Sequence, residues 1–143
     1  FLRRKQAEDD VRASEARFRS LVALSSDFYW ETDAEHRMTA RSEGGAAESF
    51  RALGGRALIG KRRWEMPVLE SERALWDLHR ADLEAHRPFR DFQYARPGED
   101  GALYHYTISG EPFFDGEGRF LGYRGLGTEI TARRREESLR ALE

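Results

Sequence analysis

The chain has 143 residues, which is enough for one domain with one hydrophobic core, and 39% of them are hydrophobic. A net charge of −2 creates no field that favours nucleic acid or an anionic membrane, and no apolar run approaches the ~20 residues that a transmembrane helix requires. The absence of cysteine excludes disulfides, thiolate metal sites and cysteine nucleophiles, and it is compatible with the cytoplasmic location that we expect.

Residues 1–25 predict a helix, because they contain no Pro or Gly and are rich in Ala, Arg, Glu and Leu. The first part, residues 1–13, is polar nearly all round, which is typical of a linker or of a weak coiled coil. The chain begins at Phe1 rather than Met and ends within a second helical pattern, residues 132–143. We therefore expect a segment of a longer protein whose terminal helices continue into neighbouring domains.

Two short strands are predicted next, at residues 27–32 and 37–42, because aromatic or apolar residues alternate with polar ones on either side of a polar turn. Residues 46–69 show no sustained period and predict an irregular stretch with short helical turns. Residues 71–86 predict a longer helix, with Ser71 as its candidate N-cap and Pro88 ending it.

The rest of the domain predicts three longer strands, at residues 89–95, 103–114 and 120–130, separated by turns rich in Gly, Pro and Asp. Gly122, Gly125 and Gly127 lie inside the last of them, where glycine marks a bulge, a bend or a close approach by another group. Strands and helices are segregated along the chain, which favours an α+β domain with an antiparallel sheet.

Several segments, taken in this order, resemble PAS domains of the bacterial sensory-box type, which occur in sensor histidine kinases and diguanylate cyclases. They include SEARFRSL at residues 14–21, LIGKRRWE at 58–65, FDGEGRFLGYRG at 114–125 and EIT at 129–131, where the family usually carries Asp-Ile-Thr. The resemblance implies a five-stranded antiparallel sheet in the order 2-1-5-4-3 with helices on one face. It also implies a linker helix at 1–13, a PAS domain at 14–131 and a signalling helix from 132.

In PAS domains the concave sheet face and the long helix enclose a cavity, so the resemblance implies a ligand pocket. The large side chains that we expect at this place either line such a cavity or fill it. The position of His79 is about one turn later than the iron ligand of haem-binding relatives, so haem is not expected. The candidate lining residues are Trp30, Trp64, Trp76, His79, Tyr106, Ile108 and Leu126.

Cofactor and metal chemistry is assigned to no residue. Flavin photochemistry of the light-sensing relatives needs a cysteine, which this chain lacks, so no cofactor is named. His36, His86 and His105 do not have the spacing of a zinc site, and we expect no metal. The sequence shows no nucleophile elbow, phosphate loop or shielded carboxylate pair, so this segment is not expected to be an enzyme.

The segment Glu129-Ile130-Thr131 stands where the last strand becomes the final helix, and it is the candidate for signal coupling. Thr131 is a candidate N-cap, which by itself would make the segment a helix cap and nothing more. In relatives the acidic residue pairs with a basic group and ties the strand to the helix. Glu129 is one methylene longer than the usual Asp, which alters that geometry.

The expected function is that of a sensory module that binds a small ligand or a partner and signals through its terminal helices. The effector would be a domain in the same chain, such as a histidine kinase or a diguanylate cyclase, within a homodimer held by the PAS domain and its flanking helices. The alternative is a ligand-free dimerisation module with a filled core. Nucleic acid is not an expected partner, and contact with a membrane would come only through other parts of the protein.

Overall fold

A computed structural model describes residues 2–24, 27–42 and 47–142. No helix in these ranges is long and apolar enough to cross a membrane. The helices are α1 (Leu2–Leu24), α2 (Ala47–Ala52), α3 (Arg73–Glu84) and α4 (Thr131–Ala141), with 3₁₀ turns at Gly55–Leu58, Arg63–Glu65 and Glu70–Glu72. The strands are β1 (Asp27–Thr32), β2 (Met38–Arg41), β3 (Phe89–Pro97), β4 (Leu103–Phe114) and β5 (Phe120–Glu129).

The five strands form one antiparallel sheet in the order β2-β1-β5-β4-β3, which confirms the predicted topology. The central strand β5 pairs with β1 on one side and with β4 on the other. It continues directly into α4, which begins at Thr131. Each of the other strands is therefore the first or second neighbour of the strand that leads into the last helix.

The hydrophobic core lies between the inner face of the sheet and the segment 47–84. Helix α3 buries Trp76, His79 and Leu83, which share one face at a spacing of three and four residues. A bulge in β3, at Asp91 with a φ of 53°, shifts the pairing with β4 and lets Phe89 and Phe92 both contact His79.

The glycines of β4 and β5 make room for two aromatic rings of β1. A Cβ atom at Gly110 would lie 2.7 Å from the indole of Trp30, and one at Gly125 or Gly127 would lie under 3.0 Å from Trp30 or Phe28. The close approach to the strand is thus made by these rings, which pack directly on the glycine backbone. Trp30 and Phe28 are 1% and 2% exposed, and together they fill much of the concave face.

The structure changes the prediction for the start of the long helix. Ser71 lies in the 3₁₀ turn Glu70–Glu72, and α3 begins only at Arg73, without a side-chain cap. The carboxylate of Glu72 instead accepts a hydrogen bond from the amide of Ala95 at 2.9 Å and so joins the turn to β3. This contact is long-range, and the local sequence pattern carries no signal of it.

Candidate functional site

The interior cavity lies between the sheet and the short elements before α3, and it has a volume of only about 20 Å³. Its position is that of the predicted pocket, but large side chains fill most of the space. Among the predicted lining residues, only Tyr106 reaches it. Its walls are formed by Phe28, Met38, Arg41, Leu53, Leu58, Arg63, Met66, Tyr94, Arg96 and Tyr106.

The other predicted interior residues belong to the surrounding core. Trp30, Trp76 and Ile108 are at most 3% exposed, and the ring of His79 stacks on that of Phe92 at 3.9 Å. Trp64 is only partly buried and packs at the edge of the core, where the guanidinium of Arg80 lies 4.5 Å from its ring. These residues belong to the core around the cavity, but their side chains do not line it.

The structure places Leu126 on the opposite face of the sheet. Because side chains alternate along a strand and the backbone of Gly125 and Gly127 faces the inner rings, the residue between them must point outward. Leu126 is 36% exposed and lines a groove of about 620 Å³ on the outer face, together with Tyr29 and with Ser14 of α1. Only its carbonyl faces inward, accepting a hydrogen bond from the indole N–H of Trp30 at 3.3 Å.

Three arginines, which sequence analysis left out of the site, stand on the wall of the interior cavity. Arg63 and Arg96 are 4% and 3% exposed, and Arg41 is partly exposed. Each guanidinium lies against aromatic rings: Arg41 is 4.0 Å from the ring centroid of Phe28, Arg63 is 4.3 Å from Trp30 and Arg96 is 4.8 Å from Trp76. Cation–π contacts of this kind offset part of the cost of burying the charge.

None of the three arginines forms an ion pair within the described ranges. Arg96 donates to the carbonyls of Pro67 and Arg63, at 2.9 and 3.2 Å, and so fixes the loop that carries Arg63. Arg63 donates only a long hydrogen bond, 3.4 Å, from Nη1 to the hydroxyl of Tyr94. Its Nε and Nη2, and the Nε of Arg41, are buried and find no acceptor among the residues that the structure describes.

The electrostatics of the interior follow from this excess of positive charge. Burial lowers the pKa of Arg63 to about 10, and the charges of Arg96 and Arg41 act in the same direction. Burial, followed by the charges of Arg63 and Arg96, lowers the pKa of His79 to about 3, so its imidazole is neutral in the folded protein. Burial also raises the pKa of Tyr106 to about 12. The described residues that line the cavity therefore include three cationic side chains and no carboxylate.

The predicted coupling segment joins the sheet to α4 through two hydrogen bonds. The amide of Ile130 donates to the carbonyl of His105 at 2.8 Å, and the amide of His105 donates to the hydroxyl of Thr131 at 3.0 Å. Thr131 is therefore not the N-cap. It is the first residue of α4, and its hydroxyl is used by β4 rather than by the helix. His105 immediately precedes Tyr106, which lines the cavity.

Glu129 lies opposite Tyr106 on β4, and within the described chain it forms no ion pair with a basic side chain. Its carboxylate nevertheless acts on Arg41. Burial lowers the pKa of Arg41, and the charge of Glu129 is one of the smaller effects that raise it. The direct pairing that the resemblance implies is thus replaced by a longer-range attraction. The extra methylene of Glu relative to Asp alters the position of the carboxylate at this point.

We expect Thr131→Val to lower the free energy of unfolding by about 1–2 kcal/mol, because the amide of His105 loses its acceptor while the side chain keeps its shape. Urea unfolding measures the stability, and amide hydrogen exchange should become faster at His105. Thr131→Ser is the control, since it retains the hydroxyl. Equal stability and equal exchange in the Val and Ser variants would contradict the contact.

The chain matches one family model, and its fold is similar to that of several solved structures. The PAS_4 family model, described as a PAS fold, matches residues 25–135. No curated protein sequence matches the chain.

Three solved structures show the likeness of fold. The N-terminal domain of a diguanylate cyclase with a PAS/PAC sensor from Marinobacter aquaeolei is 11% identical, with a TM-score of 0.61, over 76% of this chain and 98% of that chain. A sensory box histidine kinase/response regulator from Burkholderia thailandensis is 18% identical, with a TM-score of 0.56, over 88% and 93%. VqmA from Vibrio cholerae, in a complex with a ligand and DNA, is 19% identical, with a TM-score of 0.54, over 78% and 50%.

Proposed function

Since the chain belongs to the PAS_4 family of the PAS fold, we propose that it is a sensory module that binds a small ligand in its interior cavity and relays binding through β5 and α4. The observation that carries the proposal is the double hydrogen bond between His105 and the Ile130-Thr131 junction. It joins the start of the last helix to the strand whose next residue, Tyr106, lines the cavity.

The path from cavity to helix is short and made of direct contacts. The hydroxyl of Tyr106 donates to Ser49 of α2 at 2.7 Å, and its ring contacts that of Phe28 at 5.9 Å. A ligand that displaces Tyr106 must therefore also move β4 at His105 or break the contact with α2. Ligand control requires different affinities for two arrangements of this junction, with a coupling typically of about 1–3 kcal/mol.

The effector that we propose is a domain following α4 in the same protein. The sensory domains of similar fold include one from a diguanylate cyclase and one from a histidine kinase, and these are the two effector classes that we favour. VqmA, also of similar fold, has been solved with a ligand. Helix α4 suits a connecting role, because all its residues after Thr131 are exposed and several form ion pairs within the helix.

Thermal unfolding of the purified chain with a panel of metabolites tests ligand binding, since a compound that binds the folded state raises the midpoint by mass action. Hydrogen exchange with the compound that gives the largest shift then tests the relay. We expect changed exchange both around Tyr106 and at residues 130–135. Changes confined to the cavity wall, with residues 130–135 unaffected, would refute the relay.

A second candidate function is a dimerisation module whose core is filled. The small cavity favours it, and so does the exposed apolar side chain of Leu126 in the groove on the outer face. Sedimentation of the chain and of a form lacking residues 1–13 measures the contribution of α1. A dimer whose unfolding midpoint is raised by no compound of the panel would favour this second function over the first.

A further inference from the structure

One complete edge of the guanidinium of the buried Arg63 has no acceptor in the described part of the chain. The two free nitrogens, Nε and Nη2, are the pair that forms side-on bidentate contacts with carboxylates. Arg73 shows the same geometry on the surface of this chain, where its Nε and Nη2 donate to the carboxylate of Glu70 at 3.1 and 2.7 Å. In Arg63 both nitrogens of this edge are buried, and the residue itself lines the interior cavity.

An unpaired donor edge in such a position is costly. Leaving buried polar groups without partners costs free energy, and the cost is greater for a charged group, which is ordinarily paired. The cation–π contact with Trp30 offsets part of the cost but supplies no acceptor. The backbone of Arg63 is anchored, because Arg96 donates a hydrogen bond to its carbonyl. The arrangement is thus cationic and short of acceptors.

The charged side chains that line the cavity all have one sign. Arg41 and Arg96 line the same cavity, and no carboxylate of the described chain forms an ion pair with any of the three arginines. Neighbouring Arg62 is a contrast, since its Nη1 lies 3.2 Å from the carboxylate of Glu65 on the surface. An anion with two oxygens in one plane would match the two donors of this edge.

We infer that the interior site takes a small carboxylate, held by the Nε–Nη2 edge of Arg63 and by the positive charge of Arg41 and Arg96. This inference rests on the proposed function and specifies the ligand class. The cavity of about 20 Å³ has room for about one water molecule, so a formate or acetate ion enters only when neighbouring side chains, such as those of Leu53 and Leu58, move aside. Arg41, which is partly exposed, gives the site a cationic side towards solvent.

The test uses the whole chain and follows thermal unfolding in sodium formate, sodium acetate and sodium chloride at equal ionic strength, with acetamide as the uncharged isostere of acetate. We expect formate or acetate to raise the midpoint saturably, on the order of 10 °C at a 100-fold excess over its dissociation constant. Chloride and acetamide should produce no comparable shift. Equal shifts in acetate and chloride, or in acetate and acetamide, would overturn the inference.

Variants locate the site. Arg63→Met removes the fork and should abolish the carboxylate response, while Arg63→Lys keeps the charge without the fork and should weaken binding at least about tenfold. Arg62→Met, a change on the adjacent surface position, should leave the response intact.

A response retained in Arg63→Met would overturn the assignment. If that variant does not fold, the side-chain Nε–H resonance of Arg63 in the unaltered chain must shift on titration with acetate, and an unmoved resonance would overturn it equally.

The outcome separates this inference from the proposed function. If carboxylates have no effect while an uncharged compound raises the midpoint and changes exchange at residues 130–135, the ligand class is wrong and the sensory function stands. If acetate binds through Arg63 but exchange at residues 130–135 is unchanged, the site is confirmed and the relay fails.

Discussion

The Gly125→Ala variant is expected to lose about 3 kcal/mol or more of unfolding free energy, the largest effect of any single methyl group that we consider. A Cβ atom at this position would lie under 3.0 Å from the carbonyl oxygen of Ser109 and from the indole of Trp30. Neither neighbour can move away easily, since the carbonyl belongs to the adjacent strand and the indole is fully enclosed in the core.

Urea unfolding of the Gly125→Ala chain measures this loss, and Gly116→Ala is the matched control. Gly116 lies in the turn between β4 and β5, where an added Cβ meets nothing within 4 Å, so its replacement should change stability by no more than about 0.5 kcal/mol. A Gly125→Ala chain as stable as the control would show that Trp30 does not occupy the place described.

The same substitution has a consequence for the cavity, because Trp30 lies between the sheet backbone and Arg63. One side of its ring system covers Gly110 and Gly125, and the guanidinium of Arg63 is 4.3 Å from the ring. Glycine in the strands thus sets the depth at which the indole lies, and the indole sets the position of the arginine. Gly110 and Gly125 therefore influence the cavity, although neither of them lines it.

Most of the fold could be predicted from the sequence because its signals are local. The alternation of side chains, the Gly and Pro of the turns and the absence of both from the terminal segments depend on neighbours a few residues apart. The strands β1, β4 and β5 accordingly lie within a residue of their predicted bounds. The order in which the strands pair came from the resemblance to PAS domains and not from these patterns.

The arginines of the site were harder to predict, and each for a different reason. Arg96 follows Phe92 and Tyr94 at a spacing of two, so alternation places it inside, but charged residues are ordinarily assigned to the surface. Met38 and Arg41 are three residues apart and would lie on opposite faces of a regular strand. The irregularity between Glu31 and Thr32 of the partner strand brings both to the inner face, and no local pattern announces it.

Arg63 could not be placed by any period, since it lies in a 3₁₀ turn of an irregular segment. Its burial depends on Arg96 and Tyr94, which are distant in sequence. The prediction for Leu126 was wrong in the opposite direction, because this apolar residue was expected inside and lies on the outer face. The aromatic rings of β1 require glycine on the inner positions of β5, and this moves the intervening leucine to the outer face.

Lowering the pH from 7 to 5 is expected to cost about 2 kcal/mol of stability through His79 alone. Its pKa falls to about 3 in the folded protein, because of burial and the charges of Arg63 and Arg96, whereas an unfolded histidine titrates near 6.5. Above pH 6.5 the imidazole is neutral in both states, so the stability is fully present there. Below it only the unfolded chain takes up the proton, and stability falls by up to about 1.4 kcal/mol per pH unit until the folded pKa is reached.

Urea unfolding at pH 7 and pH 5, compared between the unaltered chain and His79→Phe, isolates this contribution. Phenylalanine preserves the stacking on Phe92 but cannot be protonated, so the variant should lose about 2 kcal/mol less than the unaltered chain over the same interval. His36 and His105, whose pKa values are also lowered, first of all by burial, are present in both chains and cancel in the comparison. The same dependence on pH in both chains would mean that His79 can take up a proton without unfolding, and that the cationic interior described around Arg63 and Arg96 is open to solvent.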